Sequence, residues 1–262
     1  MNNATADATD SASSGESNLS EQQEIWLSLL NVISGSLSVF GSSMIIYLVR
    51  KNPRPTPYRR IMLGLSVCDV LASMTFAVQP FTMPRSSGRV YAIGNDTTCS
   101  IQGFFTQASF STLWYNGFLS IYYLMTVKYG MKNSEFARKY ERWMHISAIS
   151  YNWIAAIIGV SINLFSLGEL GLGCWIGEYP ENCVANNNCY GQIIGWFYAG
   201  VPTLVMFTII TVSNIMIYFY IKNTVNKSST SGMSPEKRRR INQLANQGFF
   251  YVGTFFMCYI WA

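Results

Sequence analysis

Long uncharged stretches alternate with short charged ones along this chain. The longest is Cys99–Val127, CSIQGFFTQASFSTLWYNGFLSIYYLMTV, which holds no charged residue and no proline. As a helix it reaches roughly 40 Å, more than the roughly 30 Å hydrocarbon core of a bilayer, so it must tilt or protrude. Gln102, Thr106, Ser109, Thr112, Asn116 and Ser120 recur at steps of three or four and form one polar stripe. Lipid cannot satisfy an amide, so Gln102 and Asn116 are expected to face neighbouring helices or a wet cavity. The pattern predicts the central helix of a membrane bundle.

The same alternation places further spans at about 25–49, 61–84, 144–167, 192–221 and 241–262, with the long helix at about 97–127 as the third. Ser34, Ser38, Gly41 and Ser42 would let the first span approach a neighbour closely. Pro80 would kink the second span, and Pro202 interrupts the fifth. Residues 1–24 are polar, with acidic residues and no basic one, and are expected to form a disordered tail. They lack the charged and apolar regions of a signal peptide. The fold class read from this pattern is an all-α membrane protein, one bundle over residues 25–262.

Composition supports that setting. Half of the chain is hydrophobic and 12% is charged, whereas a soluble domain carries about twice that charge fraction. The basic residues cluster in three joins: Arg50–Arg60, Lys128–Arg142 and Lys222–Arg240. Only Arg85 and Arg89 fall elsewhere. The positive-inside rule puts the three basic joins in the cytoplasm and the N-terminus outside. The acidic tail agrees, as do the sequons at Asn3, Asn18 and Asn95, which fall outside; that at Asn226 would be cytoplasmic and unused. Basic residues placed between apolar runs argue against nucleic acid as a partner. Cys99, Cys174, Cys183 and Cys189 lie on the outer side, where disulfides persist, and spacing leaves their pairing open. Zinc is disfavoured because no histidine lies near them. Cys68 and Cys258 lie within spans and read as packing residues.

Several stretches resemble seven-helix G-protein-coupled receptors. They are SLSVFGSSMII in the first span, YRRIMLGLSVCDVLASM in the second, CSIQGFFTQ with STLW in the third, GLGCWI after the fourth and NQGFFYVGTFFMCYIWA in the sixth. They are most similar to the cyclic-AMP-receptor-like group and its secretin/adhesion-type relatives. The resemblance implies a seven-transmembrane-helix receptor bundle with six helices present, the chain ending inside helix six. It selects Cys99–Cys174 as a disulfide, because Cys174-Trp175 matches the family's loop cysteine, and leaves Cys183 and Cys189 for a second, local pair. It places Asp69 in a helix-two polar network with Asn116. The outer half of the stripe, Gln102, Thr106 and Ser109, together with Trp175, would bind ligand. Two departures stand out. Rhodopsin-like receptors end helix three with Asp-Arg-Tyr, whereas Ile121–Leu124 carries no charge, so the intracellular lock is unidentified. The polar residues 1–24 are expected to stand where secretin receptors carry a large hormone-binding domain.

Enzyme classes fall away on residue types. A single histidine, His145, cannot hold the metals of a di-haem cytochrome or a desaturase. Paired intramembrane aspartates, Gly-x-Ser-x-Gly and a phosphate loop are all missing from the sequence. The expectation is a non-enzymatic plasma-membrane receptor with no cofactor. It would bind an unidentified extracellular ligand, sit in membrane lipid and signal to a heterotrimeric G protein. A transporter or a receptor-like protein that does not signal are the alternatives; the first would show internal repeats, and none is visible. In the receptor reading, Pro202, Gly248 and Gly253 let the fifth and sixth spans move, carrying Arg238, Arg239 and Arg240 towards the G protein. Those arginines read equally as an edge held against anionic lipid. His145 reads as a loop-end residue, and Trp175 and Trp261 as interface anchors.

Overall fold

The computed structural model describes residues 20–51, 56–168, 173–177, 179, 190–228 and 253. The sixth expected span apart from Gly253, together with Asn3, Asn18, Cys183, Cys189, Arg238, Arg239 and Arg240, lies outside the described residues. The first five spans lie within them.

Helix α1 runs over Glu21–Lys51, with Glu21 and Glu24 in its first turn and Arg50 and Lys51 in its last. Acidic residues at the start and basic ones at the end complement the helix dipole. The helix therefore begins inside the stretch read as tail, at Glu21 rather than at Ile25. Glu24 does a second job: its carboxylate pairs with Arg89 and accepts from the Val90 amide at 3.3 Å, fastening α1 to the loop before the third span. Helix α2 runs over Pro57–Thr82. Proline suits its first turn because no donor is lost there, and Met83 turns extended ahead of Pro84.

The α1–α2 contact is set by small residues, though not all of those expected. Gly35 is buried where an added Cβ would sit 2.7 Å from the Ser73 carbonyl. Ser73 donates to Ser38 at 2.7 Å, and Ser42 is buried. Gly41 faces open space instead, and Ser34 bonds the Leu30 carbonyl of its own helix.

The third span is two helices end to end, α3 (Asp96–Ser109) and α4 (Ser111–Tyr123), followed by a wide turn over Leu124–Lys128. Asn95 caps α3 by accepting from the Thr98 amide, and Thr98 answers by accepting from the Asn95 amide. The break at Phe110 has a local cause. Ser109 and Ser111 donate to carbonyls three residues back, at 2.7 and 2.8 Å, and compete with the backbone ladder. Phe110 then bonds Gln107 in a tightened turn. Both α3 and α4 pack against α2 and the fourth span.

The fourth span, α5, runs over Asn133–Ser161. It starts well before Met144, within a stretch expected as loop, and ends short of Leu167. Phe165–Leu167 is instead strand β1, paired antiparallel with β2, Cys174–Ile176, in the register Ser166 opposite Trp175. This hairpin lies on α3. Its anchor is Phe165, 4% exposed. The ring fits only because Gly103 on α3 and Gly159 on α5 lack side chains: added Cβ atoms would sit 2.5 and 2.4 Å from it. The fifth span, α6, covers Gly191–Thr224, with a wide turn over Trp196–Gly200. It meets α4 where Met206 lies over Gly117.

Four of these helices, α1, α2, α5 and α6, are long and apolar enough to cross a membrane. The buried core runs between α2, α4 and α6 and includes Ile61, Leu65, Leu113, Leu119 and Ile210. Large apolar side chains on the outer faces, such as Leu37 and Phe40, are exposed, as lipid-facing residues must be.

Gly103→Ala and Gly159→Ala should each cost about 1–3 kcal/mol by overpacking against Phe165. Thermal unfolding of the detergent-solubilised protein should show a lower midpoint for both, and an unchanged one for Gly41→Ala.

Candidate functional site

At the end of the bundle that carries the hairpin, Cys99 and Cys174 form a disulfide with an S–S distance of 2.05 Å. Both cysteines are buried, against Met83. The bond fixes β2 over the start of α3 and sets the position of the next residue, Trp175. The Trp175 ring lies 5.5 Å from that of Phe110, at the α3–α4 break. Its indole N–H donates to Gln107 Oε1 at 3.1 Å.

Gln107 is fully buried, and its other end is equally committed. Its Nε2 donates to the carbonyl of Tyr198 in the fifth span at 3.3 Å. The reason lies four residues further on. Pro202 has no N–H, so Tyr198 has lost its ordinary helical donor. The wide turn frees a second carbonyl. The Val201 amide donates to Trp196, one residue further back than in an α-helix, and Pro202 has nothing to offer Phe197. Tyr151 of α5 fills the gap, its hydroxyl donating to Phe197 at 2.8 Å. Gly200 is needed here, because a Cβ would meet the Trp196 ring at 2.3 Å. The bend in the fifth span is thus held by donors from α3 and α5, and one of those donors is in turn held by the hairpin.

The residues expected to bind ligand are placed as follows. Gln102 is 4% exposed and donates to the Thr75 carbonyl of α2 at 2.7 Å, an interhelical bond. Thr106 and Ser109 bond carbonyls on their own helix, at 2.9 and 2.7 Å. Among the described residues, Trp175 alone of the four reaches a side chain of another element through a polar contact, and its partner is Gln107. Sequence reasoning passed over Gln107 because it lies beside the Gln102–Thr106–Ser109 stripe rather than on it. The available signal was a third amide, beside Gln102 and Asn116, in an uncharged span, which must find partners somewhere.

Deeper in the bundle, Asp69 of α2 approaches Thr112 of α4. Asn116 donates to the Thr112 carbonyl at 3.1 Å. Thr112 therefore stands between the two residues expected to share a polar network. Asn95, a sequon residue, is the cap of α3.

The opposite end of the bundle carries a second ion pair, besides Glu24–Arg89. Glu141 lies in a wide turn of α5, Ala137–Glu141, and pairs with Arg60 of α2 through both carboxylate oxygens; the Arg60 Nη2–Glu141 Oε2 distance is 2.6 Å. His145 sits one turn on, with Nε2 3.7 Å from Glu141 Oε1. Its Nδ1 lies 2.9 Å from the Tyr115 hydroxyl of α4. His145 is thus an interhelical contact and not a loop-end residue. Beside this cluster Tyr58, Tyr122, Tyr123 and Phe136 pack ring against ring, and Tyr122 donates to Asn133 at 3.0 Å.

No protein-family model and no curated protein matches the sequence. Among solved structures the chain is similar to squid rhodopsin, with a TM-score of 0.61 at 16% identity, over 88% of this chain and 62% of that one. The likeness is one of fold: the chain is an all-α bundle of membrane-spanning type with the seven-helix-like arrangement of squid rhodopsin, 62% of whose length it covers.

Two outcomes check the hairpin end. Peptide mapping of non-reduced protein should recover Cys99 joined to Cys174. Gln107→Leu should cost about 1–3 kcal/mol, because it leaves the Tyr198 carbonyl and the Trp175 N–H without partners. A lowered thermal midpoint in detergent would register that loss.

Proposed function

We propose that the protein is a plasma-membrane G-protein-coupled receptor of the kind represented by the cyclic-AMP-receptor-like group. It binds a ligand at its hairpin end and signals to a heterotrimeric G protein at its basic end. The N-terminus is extracellular, and the basic joins face the cytoplasm. One observation carries the reading: on a rhodopsin-type bundle, the disulfide-pinned hairpin is joined through Trp175 and Gln107 to the proline bend of the fifth span. A ligand that touches the hairpin, Trp175 or the outer stripe of Gln102, Thr106 and Ser109 can bias that bend. It shifts the equilibrium only by binding one arrangement more tightly than the other. The fifth and sixth spans then move at the basic end and open a groove for a G-protein helix. Asp69, Thr112 and Asn116 lie along the route, and Arg238, Arg239 and Arg240 would face the G protein. The GLGCWI and CSIQGFF motifs support the narrower family placement.

Epitope tags test the topology. In intact cells a tag in the N-terminal tail should label without permeabilisation, and one at Ser228–Gly232 should not; labelling of the second would contradict the orientation. Replacing Arg238, Arg239 and Arg240 by alanine in the full-length protein should reduce G-protein activation at equal surface expression. Unchanged activation would make the run a lipid anchor.

A further inference from the structure

We infer that the loop between α2 and α3 holds a carboxylate-binding cradle, made by the Arg89 guanidinium and the Val90 N–H, and that the Glu24 carboxylate filling it sets the position of the Cys99–Cys174 disulfide. The inference goes beyond the receptor reading and holds whether or not the protein signals, since it concerns only the packing of the hairpin end.

The cradle has the chemistry of carboxylate recognition. One oxygen of Glu24 accepts from Arg89 Nη1, and the other accepts from the Val90 amide at 3.3 Å. A charged donor and a backbone donor on adjacent residues thus divide the two oxygens between them. Both charged side chains are largely withdrawn from water, that of Arg89 12% exposed and that of Glu24 15% exposed. A guanidinium withdrawn this far requires an anion. Arg85 and Arg89 are the only basic residues outside the three basic joins, and Glu24 answers one of them from 65 residues earlier in the chain.

The hold on Val90 matters because of the residue that follows. Tyr91 has a φ of 70°, a left-handed conformation that a bulky side chain adopts only at a cost. Such backbone persists where its surroundings over-determine it. Here Glu24 fixes the amide on one side, and the Phe81 ring lies 6.3 Å from that of Tyr91. The Ala92 amide closes the turn on the Arg89 carbonyl at 3.2 Å. Ala92, the far end of this turn, packs against the buried knot of Met83, Cys99 and Cys174. Met83 is tied to the same loop, its carbonyl accepting from the Gly94 amide at 2.9 Å. Glu24 therefore acts on the disulfide through Val90, Tyr91 and Ala92, and is a positioning residue for the hairpin. With the cradle empty, the left-handed turn relaxes and Ala92 lifts from the cysteines.

The test uses the full-length protein in nanodiscs and reads the rate at which dithiothreitol reduces Cys99–Cys174, by thiol labelling of the two cysteine peptides. Glu24→Ala should speed reduction roughly five-fold or more, the lower edge of ordinary coupling between sites. Acetate should then slow it back towards the original rate, and chloride at the same ionic strength should not. Arg89→Gln added to Glu24→Ala should abolish the acetate effect. Glu24→Gln keeps the size of the side chain and blocks the cradle, so it should be reduced faster than the original and be indifferent to acetate. An unchanged rate in Glu24→Ala would overturn the positioning role. A faster rate that acetate and chloride alter equally, or that acetate still slows without Arg89, would overturn the cradle. If Glu24→Ala does not fold in chloride, it should fold when prepared in acetate; failure in both would overturn the inference.

Discussion

In hydrocarbon a backbone carbonyl without a donor is expensive, and Pro202 creates such a carbonyl at Tyr198. Much of the hairpin end follows from that single demand. A donor must come from outside the fifth span, and Gln107 supplies it from α3. An amide has two ends, and its oxygen, buried too, must be satisfied in turn. Trp175 does this, and the disulfide sets where Trp175 can stand. The wide turn before Pro202 adds a second orphan at Phe197, which Tyr151 takes up. The bend cannot be straightened, tightened or relocated without leaving one of these groups unpaired, so the hairpin, α3, α5 and the fifth span act on one another.

The basic end solves a different problem. Charged residues gather there, but one of them, Glu141, has been drawn into the helix packing. A buried carboxylate is tolerated only with a close partner, and the bidentate contact with Arg60 provides it. The aromatic cluster of Tyr58, Tyr122, Tyr123 and Phe136 supplies the apolar part of the same junction. Rigid packing through Gly64, Gly117 and Gly103 connects the two ends, since each of these glycines admits a large side chain from another element.

The four helices long and apolar enough to cross a membrane were legible in the sequence because hydrocarbon thickness and the absence of charge leave few alternatives. The disulfide was legible only through the resemblance of Cys174-Trp175 to a known loop motif; spacing allowed three pairings. Residues 133–143 were misread for a physical reason. Glu135, Arg138, Lys139 and Arg142 face water and make the stretch look like loop, while Phe136 and Tyr140, four apart, are the apolar face of a helix that the low-charge criterion misses. Gly41 was misassigned because a small residue is equally acceptable facing lipid, and Gly35, nearer Ser73 and Ala77, makes the close approach. The partners of Gln107, Arg60 as partner of Glu141 and Tyr115 as partner of His145 lie at least thirty residues away on other elements, and single-sequence periodicity carries no information on such pairings.

Coupling between the hairpin and the fifth-span bend is the claim on which the functional account turns. Hydrogen–deuterium exchange of the full-length protein in nanodiscs, with the Cys99–Cys174 bond intact and after its selective reduction, addresses it without any ligand. Release of the hairpin should loosen Trp175, then Gln107, and speed exchange of backbone amides across residues 196–204. Faster exchange confined to residues 165–177, with the bend unchanged, would contradict the coupling.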